Sequence, residues 1–147
     1  MNVMNEMKLS FLSRSANESF ARVAVASFFA QLDPTVDEMA DIKTAVSEAV
    51  TNCIVHGYAE TLGVIYIHAR ILGDNMISVK IKDKGCGIPD IKQAMEPMFT
   101  TCKTGERAGL GFAVMQSFMD SVRVYSTPGK GTTVVLKKKM ASRGKAQ

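Results

Sequence analysis

The chain has 147 residues, 46% hydrophobic and 22% charged, with a formal net charge of +4. That length suits one domain with its own core, and the composition excludes a disordered chain. No apolar run reaches the roughly 20 residues of a membrane span, and Met1 to Ser15 lacks the apolar centre of a signal peptide, so a cytoplasmic protein is expected.

The positive charge lies at one end. Residues 130–147 carry Lys130, Lys137, Lys138, Lys139, Arg143 and Lys145 and no acid. Without those six, 12 of the 18 basic residues face 14 acidic ones, a balance of −2 over residues 1–129. Such a run reads as a solvated tail rather than a nucleic-acid groove, and it lacks the interleaved aromatics of a single-strand binder. Neither nucleic acid nor membrane is expected as a partner. Cys53, Cys86 and Cys102 are odd in number and scattered, which fits reduced thiols and argues against a structural zinc site. His56 and His68 are not at metal-ligand spacing.

In chain order, Met7 to Ser13 predicts a short strand. Ser15 or Asn17 can cap a helix to about Leu32, with an apolar stripe of Phe20, Val23, Ala24, Ser27 and Phe28. Asp33-Pro34 breaks it. A second helix starts near Thr35, with Asp37 and Glu38 in its first turn, and ends at His56-Gly57, where glycine suits a helix C-terminus. Val64 to Leu72 and Met76 to Asp83 form a hairpin around Gly73-Asp74-Asn75. A long irregular stretch from about Pro97 to Ala108 predicts a lid. Gly109-Leu110-Gly111 opens a helix to about Asp120, and strands Ser121 to Ser126 and Thr132 to Lys138 close the chain. Strands paired in hairpins predict an α+β two-layer sandwich, with helices on one face of a mixed sheet. Residues 1–140 form the domain and 141–147 a basic tail.

Three segments carry candidate chemistry. On the second helix, Val46 with Ile42, Ala49, Val50 and Cys53 forms the sheet-facing side, and Glu48 and Asn52 share the other. That pair is what a solvated helix face carries. It is also what a magnesium-nucleotide site needs: an amide oxygen for a hard cation and a carboxylate to accept a proton. Asp83-Lys84-Gly85-Cys86-Gly87 is either a plain turn or a strand end whose acid can accept from an exocyclic amine. Gly109-Leu110-Gly111 at a helix start can cradle phosphate, although it is neither a Rossmann fingerprint nor a P-loop.

In this order, Glu48-x-x-x-Asn52, Asp83-x-Gly85-x-Gly87, Gly109-x-Gly111 and Gly131-Thr132 resemble the boxes of the GHKL ATPase/kinase superfamily, whose fold is the Bergerat α/β sandwich. Over nearly the whole chain, Asn17 to Val23, Gln31 to Thr35, Ser47 to Asn52 and His56 to Tyr58 resemble the anti-sigma F factors of endospore-forming bacteria. The resemblance implies a homodimeric, ATP-dependent serine kinase that inhibits the sporulation sigma factor F and phosphorylates a serine of its anti-anti-sigma partner. It implies Glu48 as general base, Asn52 as Mg²⁺ ligand, Asp83 and Thr132 for adenine, and Gly85 and Gly87 as shapers of that pocket. It further implies Thr101, Arg107, Gly109 and Gly111 for the phosphates and Arg22 for partner binding.

The chain departs from the family at the lid start: the family usually has Thr-Thr-Lys-Pro, and this chain has Thr100-Thr101-Cys102-Lys103. The anti-sigma B-type stress switch and the catalytic half of a histidine kinase share these boxes. A histidine kinase, however, needs a phosphoacceptor histidine in a helical hairpin, and neither His56, at a helix end, nor His68, in a strand, sits in one. A binding module without turnover is the further alternative.

Overall fold

A computed structural model describes residues 2–88, 91, 95 and 111–141. The expectations placed on Thr101, Arg107 and Gly109, on the 97–108 lid and on the tail beyond Ala141 lie outside the described residues.

Strand β1 (Val3–Leu12) leads into α1 (Ala16–Phe29), a single 3₁₀ turn (Ala30–Leu32) and α2 (Val36–Asn52). A π-turn (Cys53–Gly57) extends α2 before the hairpin β2 (Val64–Leu72) and β3 (Met76–Asp83). Helix α3 (Phe112–Phe118) precedes a second hairpin, β4 (Ser121–Thr127) and β5 (Gly131–Lys139).

The local chemistry fixes the element ends. Asp33 takes a left-handed φ of 53° and Pro34 cannot continue the helix. Thr35 then starts α2 with a reciprocal capping box: its hydroxyl accepts the Glu38 N–H at 3.0 Å, and Glu38 accepts the Thr35 N–H at 2.9 Å. The second Glu38 oxygen accepts the Ala141 N–H at 2.7 Å, tying the chain after β5 onto α2. Asp74 and Asn75 carry φ of 60° and 59°, the geometry of a tight I′-type hairpin turn.

The sheet order is β1-β2-β3-β5-β4. The two-layer α+β sandwich is as the sequence predicts, but every neighbouring pair is antiparallel, so the sheet is not mixed. Two helices join β1 to β2, and the three reversals between β1, α1, α2 and β2 return the chain antiparallel to its start. Strand β4 does run parallel to β3, but β5 inserts between them and pairs antiparallel with both.

The helices cover one sheet face. Phe29, Ile42, Val46, Ile67, Ile81 and Leu136 are among the buried residues between the layers. On α1 the buried side is Ala21, Val25, Ala26 and Phe29, whereas Phe20 and Val23 are 51% and 56% exposed. The expected stripe is therefore rotated. Helix α1 is apolar on both sides, so periodicity cannot choose the face that α2 and the sheet accept.

The basic run at the C-terminus is not simply a tail. Lys137, Lys138 and Lys139 belong to β5. Lys138 donates to the Phe118 carbonyl at 2.8 Å and pairs with Asp41 at 3.5 Å. Among the described residues no helix is long and apolar enough to cross a membrane.

Candidate functional site

Ile42, Ala45, Val46, Ala49 and Val50 seat α2 on the sheet. That leaves Glu48 and Asn52 one turn apart, and both are half-buried rather than solvated. The π-turn carries the chain on until Gly57 lies against Asp83. A Cβ on Gly57 would meet the Asp83 carboxyl carbon and one oxygen at 2.8 Å and the other oxygen at 2.9 Å. Gly57 does not adopt a positive φ. Glycine is needed there for close approach and not for a left-handed C-terminal turn.

Asp83 ends β3 and is 4% exposed. Its Oδ1 accepts the Gly85 N–H at 2.9 Å. Burial pushes its carboxyl above the usual carboxylate range, against the opposing pull of hydrogen bonds from the Gly85 backbone, the Cys53 thiol and the Thr132 backbone. Burial also raises the Cys53 thiol, with the Asp83 charge adding to it. Cys53 is therefore a protonated donor to Asp83 and not a reactive thiolate.

The loop after Asp83 is pinned from both sides. Tyr58 accepts the Lys84 N–H at 2.6 Å and donates to the Val64 carbonyl at 2.7 Å. The Gly57 carbonyl accepts the Cys86 N–H at 3.0 Å, and the Cys86 carbonyl accepts the Gly129 N–H at 2.7 Å. Gly85 packs on the Gly57 carbonyl, and Gly87, at φ 78°, packs on the Thr127 carbonyl, so neither has room for a side chain.

Thr132 faces Asp83 across the β3–β5 pair. Its hydroxyl meets the Ser126 hydroxyl at 2.9 Å. Ser126 also accepts the Ile88 N–H at 2.7 Å and donates to the Gly131 carbonyl at 3.0 Å. With its one hydrogen given to Gly131, Ser126 takes the hydrogen of Thr132, which leaves the Thr132 hydroxyl oxygen as an acceptor on a residue that lines the cavity. Sequence reasoning missed Ser126 and Tyr58. Serine and tyrosine next to a loop carry no spacing signal, and only the strand register brings them to the site.

These segments enclose one cavity, walled by Asn52, Gly57, Asp83, Gly87, Thr132 and Phe112 over Ile81 and Val134. At the Asn52 end, Gly111 starts α3 at φ 72° and sits so close to Glu48 that an added Cβ would overlap the carboxylate oxygen. The fold thus brings together Glu48, Asn52, Asp83, Gly85, Gly87, Gly111 and Thr132. Arg22 lies apart, on α1. It donates to Glu18 at 2.9 Å and to the Ser47 hydroxyl at 3.3 Å, and Ser47 donates to Glu18 at 2.6 Å.

Among the described residues no group of three or more His, Cys, Asp or Glu could hold a metal ion. Asn52 offers one amide oxygen beside the Glu48 carboxylate. That sparse donor set fits Mg²⁺, which takes few protein ligands when phosphates and water supply the rest.

Residues 11–138 match the family model of the histidine kinase-like ATPase domain. The chain is 60% identical over 142 residues to the anti-sigma F factor of Thermoanaerobacter sp. (strain X514), covering 97% of this chain and 99% of that one. It is 53% identical to the anti-sigma F factor of Clostridium novyi, covering 94% and 96%. In fold it is similar to the RsbU and RsbW domains of a Mycobacterium tuberculosis protein, with a TM-score of 0.69 at 20% identity over 93% of this chain and 33% of that one. It is likewise similar to the catalytic domain of the histidine kinase ThkA, with a TM-score of 0.58 at 16% identity over 93% and 97%. The chain belongs to the histidine kinase-like ATPase family and, within it, groups with the anti-sigma F factors.

Proposed function

We propose that this protein is an ATP-dependent serine kinase that also sequesters a sigma factor, sigma F by its relatives' names, and phosphorylates a serine of an anti-anti-sigma partner. One observation carries the reading: a single cavity joins the Asp83–Thr132 pair to Asn52, and Glu48 lies one helical turn from Asn52 against Gly111. ATP, when bound, supplies the phosphoryl group, and Mg²⁺ neutralises charge on its phosphates. Asp83 accepts from the exocyclic amine of adenine, and Thr132 supports it through its free lone pairs. Asn52 offers an oxygen to the metal. Gly111 leaves room at the mouth of α3, with Thr101, Arg107 and Gly109 as the further phosphate contacts.

Glu48 orients the incoming serine hydroxyl and accepts its proton. Placing those groups in line is most of what the protein must do, because phosphoryl transfer rests on positioning and charge stabilisation. Arg22 binds the partner, with a partner carboxylate replacing Glu18. The exposed apolar residues Met4, Phe20 and Val23 on β1 and α1 are the homodimer face. We place the protein in the cytoplasm.

Incubation with radiolabelled ATP, Mg²⁺ and the anti-anti-sigma protein tests the kinase reading, with phosphoserine on that protein as the expected product. ATP binding without transfer would leave a binding module. Acid-labile phosphate on a histidine would make it a histidine kinase.

A further inference from the structure

Among the described residues no helix covers the other side of the sheet, where only Ser78 of the row residues is buried, and the strand register orders that side into three lateral rows. The first is Ser10, Tyr66, Lys82, Thr133, Tyr125. The second is Lys8, His68, Lys80, Val135, Arg123, and the third is Glu6, Arg70, Ser78, Lys137, Ser121. Six lysines and arginines and one histidine share these rows with a single carboxylate, Glu6. That carboxylate is already engaged by His68 at 2.6 Å.

The opposite layer carries the opposite charge. Helices α1 and α2 hold Glu18, Asp37, Glu38, Asp41 and Glu48 against Arg22 and Lys43. The near-zero balance of residues 1–129 is therefore an average over two layers of opposite sign.

The composition of this face selects its occupant. Protein interfaces are depleted of lysine at their centres and centre on apolar anchors. Here the centre is Lys80 and His68, and the exposed rings, Tyr66 and Tyr125, stand toward the row's ends. With strands about 4.8 Å apart, three strand spacings separate the two tyrosines by roughly 14 Å, with Lys82 between them. Lys84 lies 5.2 Å from the centre of the Tyr66 ring, adding a cation beside it. A basic surface with exposed aromatic rings is the arrangement that binds single-stranded nucleic acid: cations take the phosphates and rings stack on bases. A flat sheet suits unpaired bases better than a duplex groove.

We infer that the open sheet face, centred on Lys80 and Lys82 and flanked by Tyr66 and Tyr125, binds single-stranded nucleic acid. The nucleotide cavity opens on the other side of the same sheet, so the two can be occupied together. This inference does not rest on the kinase reading.

Fluorescence anisotropy of the full chain with a labelled single-stranded oligouridylate or oligothymidylate, titrated over a range of salt, tests it. Binding is expected to weaken with salt. The Lys80→Ala/Lys82→Ala variant is expected to flatten the log–log salt slope by about 1.4, two contacts at about 0.7 each. Tyr125→Ala is expected to lose about fivefold or more through lost stacking. These side chains are exposed, and unchanged thermal melting checks that each variant is folded. Absence of binding at low salt overturns the inference. So does binding that survives the face variants, which would put it elsewhere. Displacement by Mg-ATP would put the strand in the cavity and overturn it. A polyglutamate peptide binding as tightly as the oligonucleotide would make the face a dock for acidic protein and equally overturn it.

Discussion

Gly57→Ala is a one-methyl perturbation aimed at the base of the cavity. The added carbon falls 2.8 Å from Asp83 Cγ and Oδ2 and 2.9 Å from Oδ1. Because Cγ and both oxygens are almost equidistant, the methyl meets the carboxyl group face-on. Rotation of that group leaves Cγ in place and relieves nothing. An ordinary contact begins at 3.4 Å, so backbone must separate by about half an ångström. Overpacking of this kind costs about 1–3 kcal/mol, which at about 2–4 °C per kcal/mol lowers Tm by roughly 2–12 °C. A hydrogen bond to a charged group contributes about 1.5–3 kcal/mol. If Asp83 is displaced from adenine, ATP affinity falls roughly tenfold to a hundredfold.

Calorimetric titration with Mg-ATP and thermal melting read the two effects separately. Gly73→Ala is the control: nothing lies within 4 Å of its Cβ position and its φ is not positive. It is expected to be neutral or to stabilise by up to about 1 kcal/mol. A Gly57→Ala protein that melts and binds ATP like the parent would refute the placement of Gly57 on Asp83.

Glu48→Gln is expected to keep Mg-ATP affinity and lose phosphoryl transfer. A large fall in affinity with transfer intact at saturating ATP would remove Glu48 from the role of base. Asp83→Asn is expected to lose ATP binding, because an amide presents a donor where the adenine amine needs an acceptor. The same variant reports on charge. Burial raises the folded-state value of Asp83, so at this site the parent gains stability as pH falls through that raised value toward the ordinary one, and the asparagine does not. The parent's Tm relative to the variant should therefore rise on acidification from neutral pH, and a difference independent of pH would contradict the buried carboxyl. Thr35→Ala removes the capping box. It should cost about 1 kcal/mol, some 2–4 °C of Tm, while ATP affinity stays unchanged. A matching loss of affinity would mean that the start of α2 reaches the site.

Much of the fold is legible in the residues. The hairpin β2–β3 falls at the predicted bounds, because its alternation and its Asp74-Asn75 turn are local signals. Helix α2 has one strongly apolar side, so its buried face follows from spacing alone. Helix α1 is apolar on two sides, and only its neighbours decide which is covered. The site divides in the same way. Glu48 and Asn52 share a helix side by arithmetic, and Asp83 ends a strand whose limits the alternation defines. Tyr58, Ser126 and the close approach of Gly57 come from segments far apart in sequence, and no local pattern announces them.

By itself the sequence determined the order of elements, the pairing of strands into hairpins and the family boxes, since each depends on neighbours within a few residues. Tertiary structure alone decided that Asp83, Thr132 and Ser126 lie side by side on the inner face of the sheet. It alone decided that cations from all five strands gather on the outer face. A strand sends alternate residues to opposite sides, and only cross-strand register assembles those alternate residues into a surface.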